Sequence, residues 1–349
     1  MRLLEETIGK IERLDEAMME QARERVDNLI KPPKSLGRLE DIAIQLTGIT
    51  RKLYPTIDQK AIIVMAADHG VFEEGVSSNP QEITFVQTLL FQKGLPGVCA
   101  IGRVSGANII AVDIGIKGEV PDDAGVIKRK IKSGTDNMAK GPAMTRKEAI
   151  KSIEVGIEIA SQEAKNGVNL LGTGEMGIGN TTPSTAILSI LGNCDPSEIT
   201  GRGAGVGEGG IEHKTAVIRK AIEINKPNPA DVIDVLAKVG GLEIGGLAGV
   251  MLGAAANRVP VVIDGYISTM AALIATSIEP KAKEYFITSH ASAEPGGRLA
   301  YELLGIEPML NMDMCLGEGS GAALAFPIIE AAVSMIQHMP TFAEVGMEI

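Results

Sequence analysis

Apolar residues recur along the chain with two different periods. Across residues 1–30, Leu14, Met18, Ala22, Val26 and Leu29 stand three or four positions apart among charges, and Pro32-Pro33 ends the pattern, so one amphipathic helix is expected. Leu36, Leu39, Ile42, Leu46 and Ile49 repeat that spacing and predict a second helix. From residue 61 the pattern shortens to β-type runs, each closed by Gly or polar residues and most leading into a helical stretch. The runs are Ala61–Ala67, Ile109–Val112, Val168–Leu171, Val259–Ile263, Tyr285–Thr288 and Met309–Met312. Strands apolar on both faces and separated by helices imply an α/β fold, a parallel sheet with helices on both faces. The apolar segment Ala325 to Ile336 is expected to join the N-terminal helices.

Residues able to do chemistry fall where those runs end: Asp68-His69, Asp113, Glu175, Asp264, His290 with Ser292, and Glu318. Open α/β sheets bind ligands beyond the carboxyl ends of their strands, so this placement outlines a candidate site. The stretch Gly172-Thr-Gly-Glu-Met-Gly-Ile-Gly-Asn-Thr-Thr-Pro183 reads as a strand exit feeding a helix start. Backbone amides of its Gly177, Gly179, Asn180 and Thr181 are candidates for a phosphate cradle, because glycines allow close approach and the helix N-terminus adds partial positive charge. A plain tight turn fits the glycines equally well. Glu318, flanked by glycines in Leu316-Gly-Glu-Gly-Ser, reads either as a carboxylate aimed into a crevice or as a helix-start acid.

Composition narrows the classes. The net charge is −11 with no long basic block, which argues against a nucleic-acid partner. Cys99, Cys194 and Cys315 are an odd set without C-x-x-C spacing, so a reducing, cytoplasmic setting is expected and a zinc knuckle is not. His69, His213, His290 and His338 lack ligand spacing, and no metal or cofactor is expected. The mixed-charge N-terminus has no signal-peptide core, and the apolar stretch near Leu247 to Ala256 is too short for a bilayer, so no membrane role is expected.

Gly172, Gly174 and Gly177 satisfy G-x-G-x-x-G, as do Gly205, Gly207 and Gly210, so an NAD-linked oxidoreductase has to be weighed. The acidic partner expected about 20 residues on falls instead at Asp195, in a turn and helix-start sequence, and the second match follows no strand. A non-catalytic nucleotide-binding regulator would keep the glycine loops without needing Glu318. Gly9-Lys10 lacks the upstream glycine of a P-loop. Asp122-Asp123 follows a polar stretch, which disfavours a pyrophosphate-bearing donor and leaves a monophosphate open.

Eight segments, taken in order, resemble the nicotinate-nucleotide:dimethylbenzimidazole phosphoribosyltransferase family. They are Lys31-Pro-Pro-Lys-Ser-Leu-Gly-Arg-Leu-Glu40, Ala66-Ala-Asp-His-Gly-Val71 with Gly75-Val-Ser, Pro80-Gln-Glu-Ile-Thr84, Gly174-Glu-Met-Gly-Ile-Gly-Asn-Thr-Thr182, Gly201-Arg-Gly-Ala-Gly205, Val262-Ile-Asp-Gly265, Ser289-His-Ala-Ser292 and Leu316-Gly-Glu-Gly319. The resemblance implies a Rossmann-like large domain over residues 59–325, a small helical domain from residues 1–58 and 326–349, and a homodimer. It also implies transfer of 5-phosphoribose from nicotinate mononucleotide to dimethylbenzimidazole, for the lower-ligand nucleotide of cobalamin. By resemblance, Glu318 matches the general base and Glu175 a second carboxylate at the reacting centre. Gly177, Gly203, Lys214, Asp264 and Ser292 match positions around the nucleotide phosphate and ribose, and Ser78, Gln87 and Leu316 positions around the aromatic base.

Overall fold

A computed structural model describes residues 2–203, 205 and 209–347. Its strands are β1 (Lys60–Ala67), β2 (Asn108–Gly115), β3 (Ile127–Lys128), β4 (Leu170–Met176), β5 (Val261–Ile263) and β6 (Phe286–Thr288). They form one sheet in the order β3-β2-β1-β4-β5-β6, and every pairing is parallel. The chain winds outward to one side of β1 through β2 and β3, then returns to the other side through β4. That reversal leaves a crevice between β1 and β4 at their carboxyl ends.

The alternation of side chains along a strand assigns the two faces. Ala61, Ile63 and Met65 of β1 point into a core built largely on helices Arg146–Lys165, Leu242–Ala256 and Tyr266–Ile278. Ile62, Val64 and Ala66 point the opposite way, onto Phe326 and Ile329 of helix Ser320–His338 and onto Ala22, Val26, Ile42 and Leu46 of the N-terminal helices. The two chain ends thus close one face of the sheet together. Arg25 Nε ties them by donating to the Ile336 carbonyl at 2.9 Å.

Glycine permits the closest helix pair. A Cβ on Gly156 would stand 1.9 Å from the Gly246 carbonyl oxygen, and one on Gly249 1.9 Å from that of Ile153. The Gly/Ala-rich helix is therefore tightly packed, and its partner is Arg146–Lys165 of the same chain.

Several expected elements differ from those observed. The single helix expected over residues 1–30 is two, Arg2–Ile8 and Glu16–Asp27. The chain turns at Gly9-Lys10, and the Asp15 side chain caps the second helix by accepting from Met18 N–H. The strand expected at Met309–Met312 shrinks to one parallel bridge between Leu310 and His290. Pro308 before it and the left-handed Asp313 after it (φ 53°) leave no extended run to pair. The sixth strand is instead the two-residue β3, too short to show any periodicity. β4 runs past its expected end, so Gly172, Gly174 and Glu175 are strand residues. Helix Ser320–His338 is long and apolar enough to cross a membrane by composition, but most of it is buried within the fold; residues 325 and 326 both lie inside it.

Candidate active site

A cavity of about 630 Å³ opens at the carboxyl ends of β1, β4, β5 and β6. Of the candidate residues, Glu175, Gly177, Gly179, Asn180, Thr181, Gly203, Asp264, Ser292, Gln87, Leu316 and Glu318 line it. Lys214 sits directly behind Thr181. Ser78 does not join the lining: it is exposed, and its hydroxyl donates to the Gly205 carbonyl at 3.1 Å, while its neighbour Ser77 faces the cavity. Gly207, part of the second glycine match, lies outside the described residues.

The two carboxylates are held by interlocked backbone. A Cβ on Gly174 would meet the Glu318 carbonyl oxygen at 2.3 Å, and one on Gly317 would meet Glu175 Oε1 at 1.8 Å. These glycines therefore let the 317–319 turn lie flat on β4, which puts both carboxyl groups in one cavity. Glu318 takes the left-handed conformation with φ 69°, a cost of order 1 kcal/mol for a non-glycine residue. Its carboxylate accepts from Gln87 Nε2 and, at 3.5 Å, from Val98 N–H. Burial raises its pKa against these donors. Glu175 is deeper. Burial pushes it up to about 8, against the pull of the Asn180 side-chain amide and the Glu318 backbone N–H.

Glu318 is not the acid of the following helix. That helix begins at Ser320 with Gly319 as N-cap, and the carboxylate at its N-terminus is Asp264. Asp264 Oδ1 accepts from Gly321 N–H at 2.7 Å and Ala322 N–H at 3.2 Å, and Oδ2 from Gly319 N–H at 3.1 Å. Burial pushes this carboxyl up to about 7, while the amides pull it down. Donors on both oxygens suit the ionised form, as does the helix dipole. Asp264 thus forms the cavity floor and holds the Glu318 turn, with its acceptor capacity largely used by the protein.

The glycine run leads through Gly177–Asn180 into helix Thr181–Leu191, and Gly179 (φ 90°) requires glycine. Several amides of this turn are already occupied, Asn180 of the expected cradle among them: Ile178 N–H donates to Thr84 Oγ1 at 3.0 Å, Asn180 N–H to Gly177 O at 3.1 Å, and Thr182 N–H to Gly179 O at 3.0 Å. A cation stands behind the turn. Lys214 Nζ donates to Thr181 Oγ1 at 2.6 Å and Gly201 O at 3.3 Å, and burial lowers its pKa to about 8. Glu294 counters that effect and accepts from Gly203 N–H at 3.1 Å.

Sequence reasoning missed Glu294, Arg202, Tyr266 and Gly317, all of which line the cavity. Glu294 follows the Ser289-His-Ala-Ser292 segment by two residues, the one local signal that could have pointed to it. Arg202 and Gly317 stand inside the Gly201-Arg-Gly-Ala-Gly205 and Leu316-Gly-Glu-Gly319 segments, which marked the stretch but gave neither residue a role, and Tyr266 carries no local signal. Among the described residues no cluster of His, Cys, Asp and Glu is arranged to hold a metal ion.

Known proteins share this sequence and fold. A family described as Phosphoribosyltransferase matches residues 11–347. The nicotinate-nucleotide–dimethylbenzimidazole phosphoribosyltransferase of Alkaliphilus metalliredigens is 69% identical over the full length of both chains. The protein of the same name from Clostridioides difficile is 54% identical over 99% of each. Among solved structures, CobT from Thermus thermophilus superposes with a TM-score of 0.91 at 39% identity, covering 95% of this chain and 99% of that one.

Proposed function

The chain belongs to the nicotinate-nucleotide–dimethylbenzimidazole phosphoribosyltransferase family, and from that premise we propose how its cavity performs the transfer. The enzyme moves 5-phosphoribose from nicotinate mononucleotide to 5,6-dimethylbenzimidazole, giving nicotinate and the α-ribazole phosphate used in cobalamin assembly. The observation that carries the site assignment is the pair of buried carboxylates, Glu175 and Glu318, held in one cavity beside a glycine turn and a buried lysine.

In the donor, C1′ is bonded to a positively charged pyridinium nitrogen. When that bond breaks, its electron pair neutralises the ring, so nicotinate leaves without a general acid. The acceptor needs help instead. One benzimidazole nitrogen attacks C1′ while the other carries a proton, and Glu318 takes that proton as the new bond forms. Gln87 holds the carboxylate for this task, and Leu316, half exposed at the cavity edge, supplies an apolar wall for the planar base. Attack opposite the leaving base converts a β-nucleotide into an α-nucleotide.

Glu175 is the charge partner of the reacting centre. Burial keeps it near neutrality in the empty site, and a bound pyridinium favours its ionised form, so the donor itself creates the negative charge that steadies the sugar as nicotinate departs. The phosphate goes to the opposite end, beside Lys214, Arg202 and the amides of Gly179 and Thr181; Gly203 borders that end with its own N–H given to Glu294, and Ser292 lies towards the ribose. Asp264 acts on the nucleotide through the turn it holds.

The dinucleotide alternative loses its basis in the geometry. Gly172 and Gly174 lie within β4, where they admit the 317–319 turn, and so do not form a phosphate-binding turn. We extend the proposal to a homodimer, for which sedimentation at micromolar concentration should give twice the 36.6 kDa chain mass. It also includes a cytoplasmic setting, which the unpaired Cys99, Cys194 and Cys315 suit. The decisive test mixes protein, nicotinate mononucleotide and dimethylbenzimidazole and identifies the products. α-Ribazole phosphate with stoichiometric nicotinate is expected; reduced nicotinamide, or no turnover, would refute the proposal.

A further inference from the structure

The Asp68-His69-Gly70 segment carries a buried pair that the chemistry above does not use. His69 leaves the end of β1 and Glu243 lies in the first turn of helix Leu242–Ala256; their side chains are 1% and 0% exposed, and Nε2 stands 3.0 Å from Oε1. No hydrogen-bond partner of good geometry reaches either imidazole nitrogen or either Glu243 oxygen, so the two groups depend on each other. Burial pulls the imidazole pKa down, but the Glu243 carboxylate beside it, with smaller contributions from Asp68 and Glu175, more than offsets it.

Two glycines border this ring. A Cβ on Gly177 would stand 3.1 Å from His69 Nε2 and 2.6 Å from Ala67 O, and one on Gly241 would stand 2.7 Å from His69 Cε1. The phosphate turn therefore rests with its first glycine on the edge of the imidazole, while Thr84 holds the next residue through Ile178 N–H. Helix Leu242–Ala256, through Glu243, sets where that edge lies.

We infer that the His69–Glu243 pair is a positioning device for the donor phosphate, its ring forming the floor that sets the height of the Gly177–Thr181 turn. Neither residue touches substrate. The inference rests on the proposed phosphate role of that turn. It distinguishes the pair from an ordinary buried ion pair, whose loss lowers stability without favouring one substrate over the other.

The test is steady-state kinetics on the full chain with nicotinate mononucleotide and dimethylbenzimidazole, alongside melting temperature. His69→Asn stops short of the Gly177 contact and should raise the donor KM roughly tenfold to a hundredfold, the scale of a misplacement near 1 Å, with the acceptor KM within about twofold. His69→Gln, which can reach the position of Nε2, should recover most of that loss. A folded His69→Asn enzyme whose donor KM is unchanged, or whose two KM values rise together, overturns the inference. Should that variant fail to fold, Glu243→Gln decides. It keeps the shape but loses the charge that holds the ring, and a donor KM raised at least about threefold with an unchanged acceptor KM supports the device, while any other pattern refutes it. Gly177→Ala serves as the control: if it too spares the donor KM, the phosphate assignment of the turn has failed rather than the role of the pair.

Discussion

Replacing Asp264 with Asn separates two roles for this residue, nucleotide ligand and structural cap. The carboxylate accepts three backbone N–H groups at 2.7–3.2 Å, spread over both oxygens. In Asn one oxygen can still serve Gly321 and Ala322, but the other position becomes an NH2 group facing the Gly319 N–H. One charge-assisted bond is lost, costing about 1.5–3 kcal/mol. The negative charge at a buried helix N-terminus is lost as well, up to about 2 kcal/mol. A destabilisation of roughly 1.5–5 kcal/mol follows. With an unfolding entropy of ~2.1 cal/mol/K per residue over 349 residues, that corresponds to a melting temperature lower by about 2–7 °C. Because Gly319 adjoins Glu318, whose left-handed backbone depends on this turn, kcat should also fall, with the donor KM changed only a few-fold. Thermal unfolding and steady-state kinetics on one preparation read both. A variant that melts within about 1 °C of the parent while its donor KM rises tenfold would refute the capping argument and make Asp264 a direct nucleotide ligand.

Three further outcomes are expected. Glu318→Gln keeps shape and the Gln87 contact but removes basicity, so kcat should fall about 10²–10⁴-fold with little change in donor binding; turnover within a few-fold of the parent, together with a large loss in Glu175→Gln, would reverse the two roles. Glu175 is protonated below its raised pKa of about 8 in the free enzyme, so the charge that pairs with the pyridinium is fully present only above it. Donor kcat/KM should therefore climb with pH towards about 8 as Glu175 ionises and fall above it as Lys214 loses its proton, and Glu175→Gln should flatten the rising limb; a rising limb that survives the substitution belongs to another group. Gly177→Ala forces a methyl to 2.6 Å from Ala67 O, so the turn must shift, and the donor KM should rise far more than the acceptor KM; equal changes would count against a phosphate cradle there.

The strands and the site differ in how much of them sequence alone reveals. β1 announces itself because both faces of Ala61–Ala67 are buried, and a run apolar at every position follows directly from that environment. The placement of Asp264 and His290 just beyond β5 and β6 was legible for a related reason: an apolar run that ends in a polar group marks where the chain leaves the sheet. Gly317 and Glu294 have no such marker. Gly317 must be glycine because Glu175, 142 positions earlier in the numbering, lies against it, and Glu294 matters because the Gly203 amide reaches it.

Periodicity failed where the element was short or its boundary was set by a contact. Two-residue β3 exists because it pairs with Val112 and Asp113, and the first helix breaks at Gly9-Lys10 even though the apolar spacing continues at Leu14. The ordered set of motifs was enough to point to the family, and with it the reaction, because those residue types recur in order along nearly the whole chain. Only the tertiary structure decided what individual residues do within it. A side chain's chemistry depends on what surrounds it, and the sheet crossovers bring those surroundings from distant segments. Asp264, an acid after an apolar run like several others, became the cap of a helix more than 50 residues away. Lys214, one cation among many in the chain, became a buried ammonium with a pKa near 8 behind the phosphate turn.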